Sequence, residues 1–232
     1  MDKSQIGFQK IPLVAWEVPA AAQFIGTPPV LLYHFPSLAA WQAWGISLAI
    51  SVLFYGWLSG AHVNPVVTLV MACGGKITFK QVPVYWICQA AGMVLGVFSA
   101  SYLLTGSFST AAAAELVALP SAETTPTWEI ARAEAFGPLL FVLGVFVLAS
   151  QPAIKAVSFL AIGAWLAVLA GSNLGSISGG SFNSTRAIVP YIMAGSTEDW
   201  VEYVIAYGLA PFVGVLPLCI FVFLVKGDEE AS

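Results

Sequence analysis

The chain has 232 residues, of which 59% are hydrophobic and 9% charged, and its formal net charge is −4. Soluble domains average about 45–50% apolar and about 25% charged residues, so the composition argues against a soluble protein and indicates one embedded in a membrane. The few charges are spread thinly and form no basic face, which argues against a nucleic-acid-binding protein.

The sequence shows no pattern typical of a redox, metal or catalytic site. Its three cysteines lie inside apolar runs without Cys-x-x-Cys or Cys/His spacing, and we interpret them as small apolar side chains: Cys73, Cys88 and Cys219. No paired carboxylates and no nucleophile beside a base are visible, so we expect neither an enzyme nor a cofactor or metal ion. Residues 1–10 are polar and precede no apolar segment that ends in an Ala-x-Ala site, so we expect no cleaved signal peptide.

The chain divides into two predicted repeats, residues 11–104 and 129–225, each with three long apolar spans. A loop at residues 105–128, rich in Ser, Thr and Pro, joins them. The first span contains Pro28-Pro29, which should kink or break a helix and leave carbonyls for its neighbours to satisfy. The predicted spans cover residues 11–33, 38–58, 82–104, 129–150, 155–171 and 200–225.

The charges are segregated across this topology. One side holds all six lysines, namely Lys3, Lys10, Lys76, Lys80, Lys155 and Lys226, and the other holds Glu115, Glu123, Glu198 and Asp199. Because Lys and Arg concentrate in cytoplasmic segments, residues 1–10 and the tail at residues 226–232 are predicted to be cytoplasmic. The loop at residues 105–128 is then extracytoplasmic.

A short helix is predicted between the second and third spans, in the stretch SGAHVNPVVTLV. Asn64 is a favoured N-cap, and Pro65 suits the first helical position because it has no N–H to lose. Gly74-Gly75 ends the apolar run, so this half-helix at residues 64–73 crosses only about half of a ~30 Å hydrocarbon layer.

A near copy of this stretch, SGGSFNSTRAIV, predicts a second half-helix at residues 183–193, with Asn183 in the position of Asn64. The first spans also match, because AAAQFIG aligns with ARAEAFG and places Gln23 opposite Glu134. Since each repeat has an odd number of spans, the second must insert upside down, and the half-helices then meet near the middle of the membrane. We therefore predict an all-α membrane protein with six transmembrane helices, two half-helices and an inverted 3+3 repeat.

The meeting point of the half-helices predicts a pore for small neutral solutes. Each helix N-terminus is equivalent to roughly +0.5 charge, which disfavours cations and protons. Asn64 and Asn183 can donate N–H groups to the oxygen of a solute that has lost its water. Arg186 lies within one turn of Asn183 and adds further donors; the alternative interpretation is an arginine that snorkels to the interface.

These motifs resemble those of the aquaporin, or major intrinsic protein, family over nearly the whole chain. HVNPVV resembles the first Asn-Pro-Ala box of that family with Val66 in place of Ala. FNSTR resembles the second box and its arginine, with Ser184-Thr185 in place of Pro-Ala. AQFIGT resembles the opening helix of the family, with Gln23 in place of the usual Glu.

By position, the resemblance implies a selectivity filter made of Trp44, Gly171, Gly180 and Arg186. Gly171 stands where water-selective members typically have His, and the combination of Trp and Gly resembles the polyol-conducting branch. Gly180 removes the second aromatic wall of that branch, and Ala187 follows the arginine in place of its Asp. The resemblance therefore implies a filter wider and less walled than either standard type.

Three residues are expected to support the boxes. Glu134 should bond the loop backbone around the second half-helix, and Gln23 should do the same in the first repeat. His62 is interpreted as a packed loop residue that bonds backbone rather than as a pH gate.

The two altered boxes raise a packing question. Val66 adds bulk where the half-helix tips would touch, and Ser184 can leave room for it. Ser184 can also compete with Asn183 as the N-cap. Our hypothesis is that Asn183 still caps the helix and faces the pore.

The sequence thus favours a passive channel for water and small neutral solutes such as glycerol that excludes ions and protons. The resemblance implies a homotetramer, and we expect a multi-pass protein of the plasma membrane. Two alternatives stay open. One is a secondary transporter, for which the only ionisable candidates lie in the span bearing Arg132 and Glu134; the other is a non-conducting or weakly conducting scaffold whose altered boxes leave the pore shut.

Overall fold

The structure is a computed structural model that describes residues 12–119, 124–196 and 199–231. Within these ranges the regular structure is helical, which confirms the predicted all-α class. The α-helices are α1 (Glu17–His34), α2 (Ala40–Ser59), α3 (Pro65–Cys73), α4 (Val82–Thr105), α5 (Ala111–Leu116), α6 (Thr127–Ser150), α7 (Ser158–Ala170), α8 (Asn173–Ser178), α9 (Ser184–Met193), α10 (Trp200–Tyr203) and α11 (Ala210–Ala231). Shorter 3-10 helices cover Leu13–Trp16, Phe79–Gln81 and Pro152–Ile154, and a π-helix, Val204–Leu209, joins α10 to α11.

Some sequence predictions lie outside the described residues. They concern the polar N-terminus at residues 1–10, the start of the first span at residue 11, and the charged residues Lys3, Lys10, Glu123 and Glu198. The predicted loop at residues 105–128 is described in part, and it contains the helix α5.

Three of the described helical segments are long and apolar enough to cross a membrane by length and composition: Phe79–Thr105, Thr127–Ser150 and Trp200–Val225. The helix α7 is apolar but shorter. The helix α1 contains Glu, Gln and Pro residues and α2 contains Gln, Ser and Trp residues, and both pack against the apolar helices as part of the same bundle.

The proline pair in the first span does not break the helix, because α1 runs through Pro28 and Pro29 to His34. Pro28 has no N–H to donate to the carbonyl oxygen of Phe24, one turn earlier. The Ser47 hydroxyl on α2 donates to that oxygen instead, over 2.8 Å. A neighbouring helix therefore satisfies the carbonyl that the proline frees.

Glycines allow the long helices to approach one another closely. A Cβ atom at Gly92 on α4 would lie 2.3 Å from the Val18 carbonyl oxygen on α1, and one at Gly96 would lie 2.4 Å from that of Ala22. Where α7 packs against α2, a Cβ atom at Gly163 on α7 would lie 2.4 Å from a carbonyl oxygen on α2. Only glycine fits at these contacts, because small residues let helix backbones approach closely.

The two short helices α3 and α9 begin directly after Asn64 and Asn183, as the capping pattern predicts. Their N-terminal ends touch, because the side chain of each asparagine reaches the chain just before the other helix. The long helices surround this contact. The architecture therefore places two opposed helix tips in the middle of the bundle.

Candidate functional site

The tips of α3 and α9 are locked together by a reciprocal pair of hydrogen bonds. The Asn64 Oδ1 atom accepts from the Val66 N–H over 3.1 Å, and its Nδ2 atom donates to the Phe182 carbonyl over 2.8 Å. The Asn183 Oδ1 atom accepts from the Arg186 N–H over 3.1 Å, and its Nδ2 atom donates to the Val63 carbonyl over 2.7 Å. An asparagine amide has two N–H groups, so each one keeps a donor for a solute.

The substituted positions of the two boxes fit this contact. Val66 is fully buried at the start of α3. The Ser184 hydroxyl does not cap α9 but donates to the Gly208 carbonyl over 3.0 Å, inside the π-helix. Asn183 therefore remains the N-cap, as the hypothesis requires.

Two buried carboxyl groups hold the loops that lead into the tips. Glu134 accepts from the Ser181 and Phe182 N–H groups over 3.0 and 2.8 Å, the role predicted for it. Glu17 accepts from the His62 and Val63 N–H groups, both over 3.1 Å. The two carboxyl groups occupy equivalent positions in the two repeats.

The prediction that Gln23 plays this part in the first repeat is wrong. Gln23 donates to the Thr27 and Ser47 hydroxyls and accepts from that of Ser51, so it joins α1 to α2 and does not reach the loop. The local match of AAAQFIG with ARAEAFG led to this wrong residue. The sequence separation could have identified Glu17, because it is similar in the two repeats. Glu17 precedes Val63 by 46 residues and Glu134 precedes Phe182 by 48.

The carboxyl groups hold strained backbone in place. Val63 and Phe182, each directly before an asparagine, have φ values of 42° and 51°. Residues other than glycine reach this left-handed region at a free-energy cost of about 1–3 kcal/mol. The strain turns the two carbonyl groups toward the opposite asparagine, so it belongs to the lock between the tips.

A narrow cavity, which we call the constriction, lies beside the tips and has a volume of about 20 Å³. This is room for about one water molecule. It shares lining residues with a cavity of about 640 Å³, which we call the large vestibule, and with one of about 440 Å³, the small vestibule. The constriction is lined by Phe24, Trp44, Leu48, His62, Val63, Asn64, Phe141, Leu166, Gly180, Ser181, Phe182, Asn183 and Arg186.

The predicted filter residues do not all line the constriction. Trp44, Gly180 and Arg186 line both the constriction and the small vestibule. Gly171 follows the last residue of α7 and lines only the small vestibule. Leu166, one turn earlier on α7, reaches the constriction in its place.

Arg186 is 6% exposed and lies against the indole of Trp44, with 4.3 Å from its Cζ atom to the ring centroid. Such a cation–π contact holds the guanidinium group over the ring. Its Nη1 atom has no hydrogen-bond partner within the described part of the chain. The arginine therefore has a donor for a solute in the constriction, which disfavours the interpretation of a snorkelling residue.

His62 lines the constriction and the large vestibule. Its Nδ1 atom lies 3.2 Å from the Thr68 hydroxyl oxygen, and its ring stacks on Tyr85 with centroids 4.8 Å apart. Only its backbone N–H bonds Glu17. The ring thus bonds a side chain rather than the backbone that the sequence interpretation assigned to it.

Sequence reasoning missed eight residues of the site. One is Glu17, which holds the first loop, and the others line the constriction: Phe24, Leu48, Val63, Phe141, Leu166, Ser181 and Phe182. Phe24, Leu48, Phe141 and Leu166 lie among other apolar residues of their helices, so nothing in their spacing separates a pore-facing position from one in the core.

A profile of the major intrinsic protein family matches residues 22–221. The chain is 30% identical to the glycerol uptake facilitator protein of Bacillus subtilis over 152 residues, which are 64% of this chain and 55% of that protein. It is 29% identical to aquaporin NIP1-1 of Zea mays over 183 residues, 78% of this chain and 60% of that one. The chain thus spans little more than half the length of these two relatives.

The fold is similar to that of a solved structure. The X-ray structure of the aquaglyceroporin from Plasmodium falciparum superposes with a TM-score of 0.71 at 18% sequence identity, covering 95% of this chain and 98% of that one. This likeness shows that the chain has the aquaporin fold.

Proposed function

The chain belongs to the major intrinsic protein family, whose members are integral membrane channels and not enzymes, and from this premise we propose that it is a passive channel for water and small neutral solutes such as glycerol. The observation that carries the proposal is the reciprocal lock between Asn64 and Asn183 beside a constriction that shares lining residues with both vestibules. A transmembrane path for solutes needs the constriction and the two vestibules in line.

The electrostatics of the constriction support exclusion of cations and protons. The N-termini of α3 and α9 both point at it, and Arg186 adds a charge that cannot be neutralised. No Asp or Glu is among the described residues that line it. The carboxyl groups of Glu17 and Glu134 are tied to backbone N–H groups behind the loops.

The lining supports a neutral solute that has both a carbon face and oxygen atoms. Trp44 and its apolar neighbours can contact C–H groups, while the free N–H groups of Asn64, Asn183 and Arg186 can donate to hydroxyl oxygens. We propose roles for the predicted residues on this basis: Trp44, Gly180 and Arg186 select at the constriction, and Gly171 leaves the small vestibule open beside it.

The charges support an orientation for the chain. Lys76 and Lys155 line the large vestibule, and Glu115 lines the small one. Under the positive-inside rule the large vestibule faces the cytoplasm, with both termini on that side. We further propose a homotetramer in the plasma membrane.

Stopped-flow light scattering with proteoliposomes tests this function. Against an impermeant osmolyte and then against a glycerol gradient, the reconstituted protein should accelerate the volume change over empty liposomes in both assays. Acceleration in neither assay would favour the scaffold, and a glycerol flux that requires a proton or sodium gradient would favour the transporter.

A further inference from the structure

We propose that Phe24 is a specificity-determining residue of the constriction, where it supplies from α1 a second aromatic wall beside Trp44 and limits the width of the solutes that pass. This inference deepens the proposed channel function and rests on it. It assigns the width limit to a helix that the sequence motifs of the filter do not include.

Phe24 lies beside Trp44 in the lining of the constriction. The centroids of the two rings are 5.3 Å apart and their planes are inclined by 58°. The Arg186 guanidinium group also lies over the Trp44 ring, with its Cζ atom 4.3 Å from the ring centroid. Phe24, Trp44 and Arg186 therefore supply two aromatic rings and one donor to the lining of the constriction.

The loop position at Gly180 disfavours a side chain. Gly180 has a φ of 61°, a conformation that L residues with a side chain adopt only under strain. A Cβ atom there would lie 3.2 Å from the Ala170 Cα atom and 3.3 Å from its Cβ atom, closer than ordinary van der Waals contact. The loop therefore provides no aromatic wall at this position, whereas α1 places the Phe24 ring in the lining.

Hydrogen bonds between α1 and α2 fix Phe24 against Trp44. The Phe24 carbonyl accepts from the Ser47 hydroxyl, which lies on α2 one turn after Trp44. The adjacent Gln23 donates to Ser47 over 3.4 Å and accepts from Ser51. Because these bonds set the register of the two helices, Gln23 is a positioning residue for the wall rather than a support of the loop.

This geometry selects a class of solute by width. An unbranched polyol can place its carbon chain along the two aromatic faces while its hydroxyl oxygens accept from Arg186 and the asparagines. A wider solute meets the Phe24 ring, which is 4% exposed and packed in the bundle. The ring therefore acts as a fixed limit, in contrast to a mobile side chain on a loop.

The test compares the permeabilities of proteoliposomes to glycerol and to 2-methylglycerol, which is glycerol widened by a methyl branch on its central carbon, for the unmodified protein and Phe24→Ala. One extra carbon is worth about 10–200-fold in discrimination by an apolar site, so we expect Phe24→Ala to raise the 2-methylglycerol-to-glycerol permeability ratio by about tenfold. Phe24→Leu is the second variant, for use if Phe24→Ala does not fold. Leucine fills more of the site than alanine but lacks the flat ring, so the ratio should shift in the same direction.

Phe54→Ala is the matched control, because Phe54 lies on α2 and is 59% exposed on the outside of the bundle. It should leave the ratio unchanged. If Phe24→Ala and Phe24→Leu lower thermal stability but leave the ratio unchanged, Phe24 is a packing residue and the inference is overturned while the channel function stands. If the unmodified protein conducts neither water nor glycerol, the proposed function fails and this inference fails with it.

Discussion

The chemistry of the site depends on residues that are held by buried partners. Arg186 is kept over Trp44, and the Asn64 and Asn183 amides are each bonded at both ends. Such side chains lose little freedom when a solute arrives, because their positions are already fixed. The free donors at the constriction are therefore ordered before a solute binds.

Glu17 offers a test at the residue scale. In Glu17→Ala the N–H groups of His62 and Val63 lose their acceptor, and each buried donor left unpaired costs about 1–3 kcal/mol. The midpoint of thermal unfolding in detergent should fall, as it should for Glu134→Ala.

Two further variants control this prediction. Glu202→Ala, at an exposed position in α10, should leave the midpoint nearly unchanged. Gln23→Ala should lower it less than Glu17→Ala does, because Gln23 does not bond the loop backbone. A larger fall in the midpoint for Gln23→Ala than for Glu17→Ala would contradict this assignment and favour Gln23 as the equivalent of Glu134, as the sequence match indicated.

Among the elements, the half-helices were the most predictable from sequence and the short connecting helices the least. An asparagine followed by Pro65 or Ser184 specifies where a helix begins whatever surrounds it, since the cap is a local interaction. The six-residue helix α5 and the π-helix carry no such signal, and tertiary packing decides them. The extent of the span with Pro28 was predictable from sequence. Whether the helix continues through the proline was not, because this depends on Ser47 from another helix.

The link between α9 and the π-helix makes a prediction at the element scale. Ser184→Ala removes the hydroxyl that donates to the Gly208 carbonyl, and a lost hydrogen bond of this kind lowers stability by about 0.5–1.5 kcal/mol. Thermal unfolding in detergent should show a lower midpoint for Ser184→Ala and a nearly unchanged one for Ser184→Thr.

The control for the two Ser184 variants is Ser176→Ala in α8, where an exposed hydroxyl bonds a carbonyl of its own helix. Its midpoint should be close to that of the unmodified protein. If Ser184→Ala matched this control, the contact with the π-helix would contribute nothing to the position of α9.

Across the whole molecule the two repeats hold their tips by matching contacts. Tyr85 donates to the Ser59 carbonyl and Tyr207 to that of Ser178, both over 2.7 Å. These pairs join the buried carboxyl groups as a second set of equivalent restraints. The sequence could predict the repeat because the serine and asparagine spacing is similar in both halves, but the aromatic donors lie on distant helices that no local match connects.

The central claim is that two opposed, asparagine-capped helix tips pass neutral molecules and exclude ions. It is tested most directly by measuring osmotic water flux and proton flux on the same proteoliposomes, the latter with an enclosed pH-sensitive dye under an imposed pH gradient. The account predicts water flux well above that of empty liposomes and proton flux equal to theirs. Proton flux that rises with the amount of reconstituted protein would contradict it.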